Sequence, residues 1–321
     1  MESESNQRQN CTILLPIRNG ESFISESLEN LLSMAGANDE ILIVNDGSTD
    51  QTLRKLREYQ DRDPRIIVVT LPALGLVAAL NKGLEVATNE IIARADVDDF
   101  YSIDRLKLQV NMLQANPDTA AVFSDYTFWS GEKSDLGYMP TGMSSSATKL
   151  SLVDAFRTPH PSVVFRKDAV LSVGGYQAAD FPAEDLGLWL RLSRKFDLAT
   201  VPFPLLRYRI NPAGISASRQ EEMRLKRDAL LANLDYVELI EVNINSYNKI
   251  KETYAEVSHR GARLALYNFD LFLCVRRANL SSLQKAPHFV RVIGRFFNPR
   301  IAIAFFNLLL ERRIRRSVRT G

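Results

Sequence analysis

The chain has 321 residues, 45% of them apolar and 24% charged, which suits one folded α/β domain of about 200 to 250 residues plus an extension and excludes extensive disorder. Cys11 and Cys274 are the only cysteines and lie far apart, which excludes a disulfide framework and a cysteine metal site and favours a reducing compartment. Residues 219–321 carry 19 basic and 10 acidic side chains, a net of +9, so the first 218 residues carry −7 within the total of +2. The polar N-terminus shows no secretory signal, and we expect a cytoplasmic protein.

Strand and helix patterns alternate through the first 126 residues. Continuous apolar runs predict strands at 11–16, 40–45, 65–70, 90–95 and 120–126. Apolar residues at helical spacing predict the intervening helices, marked by Ile24, Leu28, Leu31 and Leu32, by Leu53, Leu56 and Tyr59, by Val77, Leu80 and Leu84, and by Leu106, Val110 and Leu113. Ser48 or Thr49 is expected to cap the second helix. The alternation predicts a mostly parallel, Rossmann-like α/β sheet with helices on both faces.

The pattern changes after residue 126. Residues 127–158 are rich in Gly, Ser and Thr and are interpreted as a mobile loop or an acceptor-side insertion. A strand is predicted at 162–165, followed by a turn at Gly174-Gly175-Tyr176. A helix then opens with Glu184 and Asp185, and its apolar face is formed by Leu186, Trp189, Leu190 and Ser193. From residue 219 onward the pattern is helical and has no strand signals.

Polar residues follow three of the predicted strands, at Pro16–Asn19, Asp46 and Asp96–Asp99. Ligands of parallel α/β sheets bind beyond the carboxyl ends of the strands, so we expect these residues to converge on one crevice. Three carboxylates within Asp96–Asp99 repel one another and favour a bound cation. The alternative is a solvated turn with a helix cap. The hard oxygen ligands suit Mg²⁺ or Mn²⁺, with phosphates supplying further ligands.

Several phosphate-binding classes are disfavoured by their missing motifs. The chain has no GxxxxGK[ST], and the turn after the first strand reads PIRNGE rather than GxGxxG. The DVDD sequence follows the fourth strand, whereas a haloacid-dehalogenase-type phosphatase has its DxDx[TV] after the first.

Four stretches in order, PIRNGESFISESLENLL, EILIVNDGSTDQT, ARADVDD and AEDLGLWLRL, resemble the family 2 glycosyltransferases of the GT-A fold over roughly residues 11–215. TPHPSVVFRKDAVLSVGGYQ and LLRYRINPAGIS are similar to bacterial members that build surface polysaccharides. The resemblance implies an inverting transferase that uses a nucleotide-sugar donor, a UDP-sugar by preference, and a divalent metal. The QxxRW motif of processive synthases is missing, which favours transfer of one sugar per encounter.

The resemblance also implies roles for individual residues. Pro16 and Arg18 would hold the nucleoside and Asp46 would read the base. Asp96 and Asp98 match the metal-binding DxD pair, with Asp96 towards the ribose and Asp98 on the metal, and Asp99 is a neighbour on the substrate side. Asp185 matches the general base, and Glu184 and His160 are the next candidates. Relatives commonly have Arg before the Asn of the third helix, but this chain reads Leu80-Asn81-Lys82, so Lys82 would have to replace that charge. Asn81, Lys82 and His160 are predicted substrate-binding residues.

Each of three roles has a structural alternative. Asp185 could be a plain helix N-cap, because an acidic residue at a helix start is favoured in any case. His160, between two prolines, could simply be packed. Asp46 could cap the helix that follows it.

The C-terminal stretch 291–319 holds eight Arg and a single acidic residue, Glu311. The apolar run at 301–310 is too short to span a bilayer, and its Phe, Leu and Arg content predicts a helix lying on anionic lipid. The alternative is a helix docked on the domain. The acidic first part and the lack of any nucleic-acid motif disfavour a nucleic-acid partner.

Together these features predict a catalytic GT-A domain at 1–218 and a helical, basic region at 219–321. The expected activity is transfer of one sugar to a growing, lipid-linked glycan by an enzyme peripheral to the cytoplasmic membrane. The alternatives are a non-catalytic sugar-nucleotide-binding subunit and a nucleotidyltransferase, although the latter class commonly has a Gly-rich, basic loop after strand one.

Overall fold

A single mixed sheet forms the centre of the fold in the computed structural model, which describes residues 8–130, 138–139, 148–149, 152 and 158–232. The strand order is β3-β2-β1-β4-β8-β6-β9-β5, with β7 paired to β6. The strands are β1 Cys11–Ile17, β2 Glu40–Asp46, β3 Ile66–Leu71, β4 Ile91–Arg94, β5 Phe100–Tyr101, β6 Thr119–Trp129, β7 Tyr138–Met139, β8 Val164–Arg166 and β9 Asp197–Arg209.

Strands β1 to β4 form the parallel part of the sheet, as predicted. β1 pairs with β2 on one side and with β4 on the other, and β3 pairs with β2. All residues of β1, β2 and β4 are buried, which agrees with their continuous apolar runs.

The other part of the sheet is mixed. β8 runs antiparallel to β4 and β6, and β9 runs parallel to β6. The predicted strand at 162–165 is wrong at its start, because His160–Ser162 form a 3₁₀ turn and β8 begins at Val164. The long strand β9 has no counterpart among the sequence predictions. Pro202 and Pro204 lie inside it, and proline argues against a strand because it cannot donate a ladder hydrogen bond.

The helices cover both faces of the sheet, as predicted. They are α1 Ile24–Met34, α2 Thr52–Gln60, α3 Leu76–Val86, α4 Arg105–Ala115, α5 Lys167–Ser172, α6 Glu184–Ser193, α7 Ile215–Ser218 and α8 Gln220–Ala232. Alternate residues of β1 point to opposite faces: Ile13 packs with α1, α2 and α4, whereas Leu14 packs with α3 and α6.

The predicted cap of α2 is wrong. The Oγ of Ser48 accepts the Asn19 N–H (2.9 Å), and the Thr49 N–H is donated to the Asn19 side chain (2.8 Å). Asp50 Oδ1 accepts the Thr52 N–H instead (3.0 Å). The two hydroxyl residues therefore join the turn after β1 to the turn after β2.

Only the start of the predicted helical region beyond residue 218 lies among the described residues. Helix α8 packs beside α6: Leu231 is buried in the same core cluster, and Lys226 Nζ donates to Ala179 O (2.7 Å). The basic stretch 291–319 and most of 127–158 lie outside the described residues. Within the described ranges, no helix has the length and apolar character needed to cross a membrane.

Candidate active site

The carboxyl ends of β1, β2 and β4 lie side by side, because β1 pairs with both neighbours in parallel. The polar residues after these strands therefore share one edge of the sheet, as predicted. Pro16 is buried within β1, and Arg18 follows it with an exposed side chain. Asp46 ends β2, and the acidic loop Asp96–Asp99 follows β4.

Each carboxylate of the acidic loop has a different partner. Asp96 Oδ1 lies 2.5 Å from Nη1 of the buried Arg94. Asp98 Oδ2 accepts a hydrogen bond from Asn211 Nδ2 (2.9 Å), and Asp99 Oδ1 accepts the backbone N–H of Arg209 (2.7 Å). The loop is thus held by Arg94 at the end of β4 and by Arg209 and Asn211 at the end of β9. Asp99 is buried and does not cap α4, whose N-cap residue is Asp104.

Arg209 and Asn211 are site residues that the sequence analysis did not identify. Arg209 Nε donates to Asp98 O (2.7 Å), and its guanidinium lies over the Trp129 ring at 3.9 Å from the centroid. The signal in the sequence is the LLRYR stretch, in which apolar and cationic residues alternate, but the preceding prolines obscure it.

The acidic loop has an excess of negative charge. The pKa of Asp98 is raised by burial and by the neighbouring charge of Asp96. The same two causes, together with the charge of Asp98, raise the pKa of Asp99, whose buried Oδ2 has no hydrogen-bond partner among the described residues. A divalent cation would relieve both effects, so these oxygen ligands fit one.

A divalent cation at the acidic loop would have few protein ligands. Among the described residues, no group of three or more His, Cys, Asp or Glu side chains has the geometry of a metal site. Mg²⁺ and Mn²⁺ sites at phosphates commonly take one or two protein carboxylates and complete their coordination with water and substrate oxygens. The metal roles of Asp96 and Asp98 remain predictions.

A second acidic group opens α6. The N-cap residue is Ala183, so Asp185 is not the N-cap, and its Oδ1 accepts the N–H of Leu186 within the first turn (2.7 Å). The face predicted to be apolar is buried: Leu186, Trp189, Leu190 and Ser193. Packing of this face fixes the helix, and with it the position of the partly exposed Asp185 carboxylate.

The two carboxyls of α6 differ in their surroundings. Glu184 is buried, its Oε2 has no hydrogen-bond partner among the described residues, and burial followed by the charge of Asp185 raises its pKa to about 7. Burial also raises the pKa of Asp185, but the Leu186 N–H and the charge of Arg94 lower it. Asp185 is thus the better-placed base, because its carboxylate is partly exposed and is held by a backbone N–H, whereas Glu184 is buried.

His160 and Asn81 make their contacts with Tyr176. His160 is buried, its Nε2 lies 2.8 Å from Tyr176 Oη, and its ring packs edge-on against Trp189. Burial lowers the pKa of His160 well below its usual value, so the ring is neutral. Asn81 bonds both the N–H (3.0 Å) and the carbonyl (2.8 Å) of Tyr176. These contacts favour the packed alternative for His160, and substrate roles for both residues remain predictions.

Asp46 and Lys82 are also engaged within the protein. The two Asp46 oxygens accept the N–H groups of Leu74 (2.6 Å) and Gly75 (2.8 Å). Asp46 therefore stabilises the start of α3, and the alternative that it caps its own following helix is wrong. Lys82 Nζ pairs with Glu85 (2.9 Å) on α3. Base reading by Asp46 and substrate binding by Lys82 remain predictions.

The parallel α/β half with acidic groups at the strand ends, joined to a mixed half, is the architecture of GT-A glycosyltransferases. Two solved structures share the fold: Staphylococcus aureus TarS 1–349 in complex with UDP-GlcNAc (TM-score 0.58, 16% identity, 83% of this chain and 81% of that one) and the mannosyltransferase PcManGT of Pyrobaculum calidifontis in complex with GDP-Man and Mn²⁺ (TM-score 0.58, 16% identity, 94% and 85%).

The sequence comparisons name the family. Residues 12–170 match the model of Glycosyl transferase family 2. The amylovoran biosynthesis glycosyltransferase AmsE of Erwinia amylovora is 32% identical over 65% of this chain and 79% of its own length. An Escherichia coli UDP-Gal:alpha-D-GlcNAc-diphosphoundecaprenol beta-1,3-galactosyltransferase is 29% identical over 59% and 69%. The chain belongs to glycosyltransferase family 2, as the motifs predicted.

Proposed function

We propose that this glycosyltransferase moves one sugar from a UDP-sugar to a growing, lipid-linked glycan in bacterial surface-polysaccharide synthesis. The observation that carries the proposal is the pairing of two acidic groups: the loop Asp96–Asp99 at the nucleotide edge of the sheet and Asp185 at the start of α6. The loop carboxylates suit the binding of a metal ion and a diphosphate, and Asp185 suits the role of a general base. The relatives that act on diphosphoundecaprenol-linked GlcNAc support a lipid-linked acceptor.

The chemistry assigned to Asp185 is general-base catalysis with inversion. The carboxylate accepts the proton of an acceptor hydroxyl as that oxygen forms its bond to the anomeric carbon. The bond from this carbon to the nucleoside diphosphate breaks on the opposite face. A positioned carboxylate contributes about 10²–10⁴ in rate. The Leu186 N–H and the α6 N-terminus favour its ionised form.

The acidic loop is assigned to the donor side. Asp98, with Asp96 beside it, would hold Mn²⁺ or Mg²⁺, which when bound neutralises charge on the leaving diphosphate. The Asn211 side chain and the Arg209 backbone orient the loop carboxylates. Pro16, Arg18 and Asp46 are assigned to the nucleoside at the ends of β1 and β2. A neighbour solved with GDP-Man and Mn²⁺ supports metal-assisted donor binding.

We assign catalysis to residues 1–218 and a membrane role to the basic part of 219–321, which places the enzyme peripherally on the cytoplasmic membrane. The eight Arg of 291–319 support attraction to anionic lipid. The full chain should bind vesicles containing phosphatidylglycerol at low salt. Replacement of Arg312, Arg313, Arg315 and Arg316 by Gln should weaken this binding. Equal binding to neutral vesicles at high salt would contradict the assignment.

The test of the activity is transfer from UDP-Gal, UDP-Glc, UDP-GlcNAc and GDP-Man to a synthetic GlcNAc-diphospholipid, with and without Mn²⁺. One donor should also raise the melting temperature in a Mn²⁺-dependent way. The expected product carries one added sugar with inverted anomeric configuration. Donor binding without transfer or Mn²⁺-dependent donor hydrolysis would instead identify a non-catalytic binding subunit.

A further inference from the structure

Arg94 is a buried arginine that the assigned roles leave unexplained. It ends β4 directly below the acidic loop, and its side chain is only 3% exposed. Its backbone is held on both sides, since its N–H donates to Val163 O (3.1 Å) and its carbonyl accepts from Arg105 Nη2 (2.8 Å). Nη1 lies 2.5 Å from Asp96 Oδ1, which is the guanidinium's ion-pair partner.

A buried guanidinium is costly unless its donors are satisfied, and a purely structural arginine would be expected to meet that need. Arg94 does not: its buried Nε has no hydrogen-bond partner among the described residues. Arg105, an equally buried arginine nearby, donates to the neutral acceptors Arg94 O, Val163 O and Gln109 Oε1, although its Nη1 also has no hydrogen-bond partner among the described residues. Arg94 is therefore arranged around a charge rather than around hydrogen bonds.

The positive charge of Arg94 lies at the base of the acidic loop. Its ion-pair partner Asp96 belongs to the same short loop as Asp98 and Asp99. Like charges gathered in one loop repel one another, and a buried cation paired with one of them lowers that repulsion.

We propose that Arg94 is a positioning residue that orients the Asp96 carboxylate and supplies a fixed positive charge at the base of the acidic loop. A divalent cation then has to neutralise only the remaining negative charge of the loop. The inference rests on the proposed function, because it treats the loop as the metal side of the site.

The sign of the effect on metal affinity separates this role from a structural one. Removing a fixed cation near a divalent ion lowers electrostatic repulsion and releases Asp96, so the ion should bind more tightly. Loss of a structural arginine would distort the loop and weaken binding.

The experiment measures binding of Mn²⁺ alone to the full chain, by the decrease of the free-ion electron paramagnetic resonance signal. Arg94→Met should bind Mn²⁺ roughly threefold tighter or more. Arg105→Met is the matched control, since it also removes a buried arginine, and it should change the affinity less. Unchanged or weaker binding in Arg94→Met, or an equal gain in Arg105→Met, would overturn the proposal.

Arg94→Lys keeps the charge and guards against a Met variant that does not fold. Its Mn²⁺ affinity should stay within twofold of that of the native chain, because the fixed cation is retained. A gain in affinity for Arg94→Lys equal to that expected for Arg94→Met would show that charge is not the cause, and would overturn the proposal even if Arg94→Met cannot be purified.

The Mn²⁺ measurement does not depend on the transfer reaction. If the native chain transfers no sugar, the proposed function fails, while the Mn²⁺ measurement still decides the role of Arg94.

Discussion

The loop Asp96–Asp99 and the first turn of α6 both bring carboxylates to the candidate site, but their surroundings hold them differently. In the loop, Asp98 bonds to Asn211, just after strand β9, and Asp99 bonds to Arg209, the last residue of that strand. In α6, Asp185 bonds only within its own turn, and the helix is held by apolar packing around Trp189. The loop therefore depends on polar contacts that a ligand can replace, and the helix depends on a core that a ligand does not touch.

This difference suits two kinds of chemistry. The carboxylates of a metal-binding loop have to exchange hydrogen bonds with the protein for bonds to the metal. Single hydrogen bonds, such as those of Asp98 and Asp99, allow this exchange. A general base has to stay in one position with its pKa kept in a useful range, and a packed helix start provides both. Substitutions in the two regions should therefore give different patterns of lost affinity and lost rate.

Asp98→Ala should have the largest effect. It removes the carboxylate assigned to the metal, so Mn²⁺-dependent transfer should fall to background while the melting temperature stays close to that of the native chain. Calorimetric titration of UDP in the presence of Mn²⁺ should show lost affinity. Asp104→Ala is the control, because this nearby exposed carboxylate forms no helix-cap hydrogen bond. Native activity in Asp98→Ala would remove the metal role from this residue.

Asp185→Asn should slow transfer at least ~100-fold and leave UDP and Mn²⁺ affinity nearly unchanged, because it removes only the basicity. Asp168→Asn is a close control: Asp168 Oδ1 accepts the N–H of Ala169 in the first turn of α5 with the same 2.7 Å geometry. Single-turnover kinetics with a lipid-linked acceptor would measure the step. A normal rate in Asp185→Asn would transfer the base role to Glu184 or His160.

Asn211→Ala should have a smaller effect, on the loop alone. It removes the hydrogen bond to Asp98 Oδ2, so Mn²⁺ affinity should change severalfold and stability should fall by about 1 kcal/mol. Asn116→Ala is the control, since the Asn116 side chain donates to Met112 O (2.8 Å), at the opposite end of α4 from the acidic loop. If both variants behave alike, Asn211 does not orient the loop.

Glu184→Gln should have the smallest effect and should depend on pH. The folded protein holds the Glu184 proton up to pH about 7, whereas the unfolded chain releases it near its ordinary value of 4.5. Native stability is therefore lost as pH rises through this window, and Gln avoids the loss. The free energy of unfolding of the variant, relative to that of the native chain, should therefore rise by roughly 1–2 kcal/mol as the pH is raised from 5 to 8.

Thermal unfolding at the two pH values measures this gain. Glu222→Gln serves as the control, because Glu222 lies exposed in the first turn of α8. A pH-independent difference between Glu184→Gln and the native chain would mean that Glu184 is ionised throughout.

Much of the parallel half could be predicted from the sequence. Apolar runs such as Cys11–Ile17 and helical spacing such as that of Val77, Leu80 and Leu84 are local patterns, and the sheet buries them as predicted. The order β3-β2-β1-β4 comes from the structure, whereas alternation of strands and helices predicts parallel strands whose carboxyl ends lie at one edge of the sheet. For the same reason the gathering of Asp46 and Asp96–Asp99 at one edge could be anticipated before any contact was known.

Only the tertiary structure decided how these carboxylates are held. β9 contains two prolines and was not predicted, yet it brings Arg209 and Asn211 to the acidic loop across more than 100 residues. Arg94 in the sequence is one more residue of a strand, and only its burial against Asp96 at the base of the acidic loop makes it a counter-charge. Sequence patterns report local periodicity, whereas the strength of a charge depends on desolvation and on neighbours that the fold brings together.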